Sequence, residues 1–235
     1  ITTISIVHNE TTSGLINDLV SVSEVVKNHN LRFIVDAMSS FGAVDVNVAE
    51  LGIDFLISSA NKCIQGVPGF SFIIARREAL TATEGNARTI SLDLHSQWKT
   101  MEKDNGKWRF TSPTHVVAAF AQALRELQQE GGVTVRGERY AATNRKLREG
   151  MRALGFEPFV SEAFQGPIIT TFLYPEGRNL DFKHMHHWLK EQGYVIYPGK
   201  LTDQDTFRIG NIGEIYDADA DRILELFAQY TKEFM

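Results

Sequence analysis

Asp54-Phe55-Leu56-Ile57-Ser58-Ser59-Ala60-Asn61-Lys62 opens as a short apolar run and breaks into a Ser/Asn loop that ends on a lysine. The run has no clean alternation, as expected for a strand covered on both faces. Upstream, residues 32–35 read the same way and lead into Val35-Asp36-Ala37-Met38-Ser39-Ser40. Further upstream, residues 3–7 form a third such run, and residues 70–75 supply a fourth on the other side. Between the first two, Leu15-Ile16, Leu19-Val20, Val22 and Val25-Val26 recur near helical spacing, and Asn28-His29-Asn30 ends that helix. The order strand, helix, strand, short helix, strand, strand predicts an α/β fold with a mostly parallel sheet and right-handed crossovers.

Downstream the pattern changes. Residues 76–112 are less regular and more charged, after which Thr111-Ser112-Pro113 gives a helix start, with Ser112 at the cap and Pro113 in the first turn. A helix over 116–129 closes at Gly131-Gly132, and a second, over 133–154, ends at Gly155. Strands over 168–173, 194–197 and 206–209, with helices over 181–192 and 217–234, read as a smaller α+β lobe. These patterns predict a large domain over 1–150 and a small C-terminal domain over 151–235. The chain opens on Ile1 in mid-strand, without an initiator Met, so further residues are expected upstream.

Composition narrows the function classes. Hydrophobic content of 43% and charged content of 23% suit a globular protein, and a net charge of −5 argues against nucleic acid or an anionic membrane as the main partner. One cysteine, Cys63, excludes an internal disulfide and a multi-cysteine zinc site and fits a reducing compartment. With no apolar run of membrane-spanning length and no signal-peptide pattern, a cytoplasmic location is expected. His184, His186 and His187 share a helix but lack partnering carboxylates or cysteines, so no metal site is expected. Neither phosphate-cradling glycine motif, G-x-x-x-x-G-K-[ST] or G-x-G-x-x-G, occurs.

Asp36, Lys62 and Arg208 each lie at, just past or near the end of a predicted strand. In open α/β sheets that edge is where ligands bind. Taken singly, each has a plain structural explanation: a turn aspartate, a solvated lysine, an alternating strand arginine. Together they fit pyridoxal 5′-phosphate (PLP), which needs a lysine amine for covalent attachment and an acid at its pyridine nitrogen. The same amine can shuttle a proton at the substrate carbon, and a guanidinium fork suits a carboxylate substrate.

The segments His8-Asn9-Glu10-Thr11-Thr12-Ser13-Gly14, Val35-Asp36-Ala37-Met38-Ser39-Ser40-Phe41-Gly42 and residues 54–62 resemble the class V, fold-type I PLP-dependent aminotransferases. The longer runs 58–69, 107–117, 194–200 and 207–213 are similar to the branch that moves the amino group of 2-aminoethylphosphonate to pyruvate, giving phosphonoacetaldehyde and L-alanine. The resemblance implies Lys62 as the cofactor-bonded lysine, Asp36 as the acid at the ring nitrogen and Met38 against one ring face. It implies Thr11 near the ring and its O3′, and Arg208 on the carboxylate of pyruvate. Thr111 and Ser112 match a segment that reaches the partner's cofactor phosphate, which implies a homodimer with shared sites. The family's N-terminal part, with its phosphate cup and stacking aromatic, would precede Ile1, so the large domain is expected to be incomplete at its start. The rival readings are another class V enzyme, such as an alanine–glyoxylate or serine–pyruvate aminotransferase, and an inactive truncated remnant.

Overall fold

Short apolar runs that end in polar loops build the first half of the chain into a four-stranded sheet. The computed structural model describes residues 1–201 and 203–235. β1 (Thr3–Val7), β2 (Arg32–Asp36), β3 (Phe55–Ser59) and β4 (Ser71–Ala75) lie side by side in that order. The first three are parallel, with Val7 opposite Asp36 and Asp36 opposite Ile57, whereas β4 returns antiparallel to β3. The sheet is therefore mostly parallel, and β1, β2 and β3 bring their C-terminal ends to a common edge.

Coverage of the strands differs from expectation. Only β3 is largely buried along its length; β4, on the outside of the sheet, exposes Ser71, Ile73 and Ile74. A cleft of about 470 Å³, lined by Ile73, Ala75, Leu80, Leu94, Trp98 and Met101, opens beside β4.

The helices show where local pattern was overruled. α1 (Leu19–Asn28) starts later than its apolar spacing suggests, because Leu15 and Ile16 form bridges to Gln165 and Asn9 instead. Tertiary pairing outweighs helix spacing there. The Asp18 carboxylate then accepts from Val20 N at 2.9 Å and Ser21 N at 3.2 Å and caps the helix. The short helix expected between β2 and β3 is absent: the described residues 37–53 run as turns that pack Phe41, Val46, Val48 and Leu51 against the core. The charged stretch after β4 holds two unforeseen helices, α2 (Arg77–Thr81) and α3 (Leu94–Lys103).

α4 (Thr114–Glu130) extends beyond the predicted 116–129 at both ends, with Pro113 rather than Ser112 as its cap and no side-chain capping bond. Gly131, at φ 115°, turns the chain into α5 (Gly132–Ala153). That left-handed backbone is one an L side chain would strain.

The C-terminal lobe is an antiparallel sheet of β5 (Ile169–Leu173), β7 (Thr206–Gly210) and β6 (Tyr197–Pro198), with β7 central. α6 (Phe182–Glu191) and α7 (Asp217–Phe234) pack on it. β6 is shorter than expected because Tyr194, just past α6, is held to the helix end, its N–H donating to Leu189 O at 2.9 Å. Phe156, Phe172, Phe207 and Phe227 meet at the core of the lobe. α5 serves both halves: Leu147 and Met151 enter this core, while Tyr140 joins Cys63, Ile168 and Ile169 in another. Among the described residues no helix is long and apolar enough to cross a membrane.

Candidate active site

The polar tips of β1, β2 and β3 are sewn into one surface. Ala37 N donates to Ile57 O at 2.9 Å, Ser58 Oγ to Ala37 O at 3.3 Å, and Cys63 Sγ to Ser39 O at 3.1 Å. The loop after Asp36 and the loop holding Lys62 are therefore tied to each other. Asp36 ends β2, half-buried, and its Oδ1 accepts from Met38 N at 2.9 Å in a local turn that fixes both residues. Lys62 is half-buried in a tight turn closed by Gln65 N donating to Lys62 O at 2.8 Å and Gly66 N donating to Ala60 O at 2.8 Å.

These two opposite charges, on adjoining loops, do not pair. Among the described residues neither Asp36 nor Lys62 has a salt-bridge partner. A carboxylate and an amine held on one edge but out of contact are a donor set suited to a small group between them. PLP, which needs an acid for its ring nitrogen and an amine for its aldehyde carbon, fits that set.

Arg208 reaches the same edge from the other lobe. It is 7% exposed in β7, and its Nη1 donates to Thr11 O at 2.8 Å while Nε donates to Pro198 O at 3.1 Å. The guanidinium also lies 5.7 Å from the centre of the Tyr197 ring, and burial lowers its pKa. Thr171 Oγ1 donates to Thr12 O at 3.1 Å, a second tie between the lobes at the β1 tip. Hydrogen bonds thus tie Arg208 to the segment that carries Thr11, and the loop after Asp36 to the loop that carries Lys62. Thr111 and Ser112 do not join them: Thr111 is exposed, Ser112 half-buried, and no side-chain hydrogen bond links either to the strand tips among the described residues. They precede α4, which packs near the turn after Lys62 through Phe120 on Phe70, with ring centres 5.2 Å apart.

Two neighbours of the site are chemically quiet. Burial pushes the Cys63 thiol up to about 12, against the pull of Arg136 and Lys62, so it stays protonated and is no nucleophile. Burial lowers His8 to about 4, and its neutral imidazole shares a hydrogen bond of 2.9 Å with Ser40 Oγ. Elsewhere, His184 bonds Tyr230 OH at 2.9 Å, and no cluster of three or more metal-ligating side chains occurs among the described residues.

Sequence reading passed over Arg136, Tyr140 and Asn211. Arg136 Nη1 donates to Cys63 O at 3.0 Å and to Ile64 O at 3.2 Å, directly after Lys62. Tyr140 OH accepts from Gln65 Nε2 at 2.5 Å and Gly213 N at 3.1 Å. Asn211 Nδ2 donates to Tyr140 O at 3.0 Å and Pro167 O at 2.9 Å. A signal existed in α5: Arg136, Tyr140, Thr143, Asn144, Leu147, Arg148 and Met151 fall on one helical stripe, and all are buried.

Comparison with known proteins adds independent findings. The aminotransferase class-V family description matches residues 1–210. A Klebsiella pneumoniae protein named 2-aminoethylphosphonate–pyruvate transaminase is 55% identical over 235 residues, covering 99% of this chain and 64% of its own length. A Bacteroides fragilis protein of the same name is 58% identical, covering 96% of this chain and 62% of its own length. The chain therefore spans slightly less than two thirds of the curated relatives it matches. Among solved structures, ureidoglycine–glyoxylate aminotransferase from Bacillus subtilis superposes with a TM-score of 0.86 at 24% identity, over 100% of this chain and 61% of that one. That likeness shows a fold-type I architecture.

Proposed function

Because this chain belongs to the class V aminotransferase family, we propose that the protein carrying it transfers the amino group of 2-aminoethylphosphonate to pyruvate, with PLP as cofactor. The products are phosphonoacetaldehyde and L-alanine. The relatives named for that activity support the choice of amine donor. The observation that carries the chemistry is the unpaired couple of Asp36 and Lys62 on loops stitched together by Cys63 Sγ and Ser39 O at 3.1 Å.

Bound PLP supplies an electron-accepting ring that stabilises negative charge on the reacting carbon of the amine. The Asp36 carboxylate holds the proton on the ring nitrogen, with one oxygen already oriented by Met38 N. The Lys62 amine would hold the cofactor and would move a proton to and from the reacting carbon. Met38 would cover a ring face, and Thr11 would offer a hydroxyl beside it. Arg208 orients pyruvate by its carboxylate. Its Nε and Nη1 bonds to Pro198 O and Thr11 O leave donors at the Nη1/Nη2 end of the fork.

Thr111 and Ser112, before the start of α4, would meet the phosphate of a partner subunit's cofactor, where free N–H groups and hydroxyls favour an anion. That reading makes the working unit a homodimer. The boundary between the large and small domains falls within α5, near residue 150, and a single buried thiol suits a reducing cytoplasm.

Borohydride reduction of the PLP-loaded protein followed by peptide mass mapping is expected to find the cofactor on Lys62, and Lys62→Ala to carry none. A panel of amine donors with pyruvate as acceptor is expected to favour 2-aminoethylphosphonate. Label on a different lysine would overturn the site. A preference for alanine or serine, with glyoxylate as the better acceptor for alanine, would move the protein to another class V activity.

A further inference from the structure

The turn that presents Lys62 is held from behind by α5. Arg136, 1% exposed, sends Nη1 to the two carbonyls that follow the lysine, Cys63 O and Ile64 O, at 3.0 and 3.2 Å. Its Nε donates to Glu130 Oε2 at 2.7 Å, and the other oxygen of Glu130 accepts from Arg139 Nε at 2.7 Å. Arg139 Nη1 in turn donates to Gly213 O at 2.8 Å and Ile215 O at 3.2 Å, in the turn that follows the Arg208 strand. Burial pushes the Glu130 carboxyl up, but the hydrogen bonds and charges of Arg139 and Arg136 outweigh this and hold it below its ordinary value.

One helical turn along, Tyr140 repeats the pattern with a single oxygen. Its hydroxyl accepts from Gln65 on the lysine turn, at 2.5 Å, and from Gly213 N, at 3.1 Å. Gln65 sits at φ 64°, a left-handed conformation that a side chain adopts only when its surroundings hold it there. A buried guanidinium with three acceptors on two segments is costly to assemble unless every bond is made. Here two of its bonds run to the backbone directly after Lys62 and the third to the Glu130 carboxylate.

We propose that Arg136 and Tyr140 are positioning residues that clamp the Lys62 turn and, through Glu130, Arg139 and Gly213, fix the spacing between Lys62 and the Arg208 strand. The proposal rests on the assignment of Lys62 and Arg208 above. Neither clamp residue touches substrate. They act by holding the lysine amine in reach of the carbon whose proton it moves, where a displacement of about 1 Å costs roughly a hundredfold in rate.

Arg136→Gln and Tyr140→Phe, made in the protein that carries this chain, test it. Cys63, the chain's single cysteine, lies beside Lys62 with its thiol closed off, so its reaction with a disulfide reagent, located by peptide mapping, times the opening of the turn. Both variants are expected to label roughly tenfold faster than wild type. The pH at which the Lys62-bound cofactor changes absorbance should shift in both. In Arg136→Gln, kcat should fall roughly 10- to 100-fold with KM for pyruvate unchanged, because Arg139 still holds the Gly213 turn.

Should Arg136→Gln fail to fold, Tyr140→Phe, which removes one oxygen, decides on labelling and the absorbance profile. Faster labelling without a shifted absorbance profile would make these residues fold supports only and overturn the positioning role. So would labelling and profile both unchanged from wild type. A wild type with no cofactor on Lys62 would sink the functional reading instead, and unchanged Cys63 labelling would still overturn the clamp.

Discussion

His8 is a histidine folded in its neutral form. Asp18 and Asp45 line the cleft beside it, yet burial is what lowers its pKa from 6.5 to about 4. The unfolded chain takes up that proton below pH 6.5, whereas the folded chain takes it up only near 4, so stability is complete at neutral pH and drains away as the pH falls through that window. Between pH 7.5 and pH 5 the loss due to His8 should be about 2 kcal/mol. Urea unfolding of wild type and His8→Asn at the two pH values should show it as a difference between their pH dependences. Equal dependence in both would assign the effect elsewhere. The placement of charged residues at the strand tips was largely legible beforehand. Asp36 and Lys62 announce themselves by falling where a parallel strand ends, and Arg208 by its place in a C-terminal strand. The neutrality of His8 and the sealed thiol of Cys63 were not legible, since both depend on what the rest of the chain lays over them.

α5 is the element that joins the pieces of the site. It meets the Asp36 loop at Ala43, the lysine turn at Cys63 and Ile64, and the turn after β7 at Gly213 and Ile215. The approach to Ala43 depends on Gly137, where an added Cβ would stand 2.1 Å from Ala43 O. Gly137→Ala should therefore destabilise the protein by about 1–3 kcal/mol, even though alanine gains roughly 1 kcal/mol over glycine in an unobstructed helix. Denaturant unfolding measures the outcome, and a more stable variant would show that the helix can shift freely. Helix spacing did reveal α5, within a residue at each end. Arg136, Asn144 and Arg148 share the face of Tyr140, Leu147 and Met151, but that signal is easily overlooked because polar residues on a helix ordinarily face water. The helices α2 and α3 were hidden for a similar reason: their charged composition masks the few apolar contacts, Leu94 and Trp98 among them, that anchor them.

Across the whole molecule, one helix feeding two cores predicts that the halves unfold together. Trp98 and Trp108 report on the first sheet's surroundings, and Trp188 on the C-terminal core. A Trp188→Phe variant and a Trp98→Phe/Trp108→Phe variant should give coincident fluorescence midpoints in urea. Midpoints separated by more than about 0.5 M would show two independent units. The mostly parallel first sheet and the α+β character of the second lobe were readable from element order; the antiparallel pairing of the second sheet was not. The bareness of β4 was not, because Phe70 to Ala75 is as apolar as any covered strand. That bareness has a practical side. With Ile73 and Ile74 in the open on an outermost strand, and Leu92 81% exposed, this chain by itself carries a sticky flank. Concentrating or warming it alone should bring on clumping, and a dose of arginine or mild detergent in the buffer is the remedy to try first.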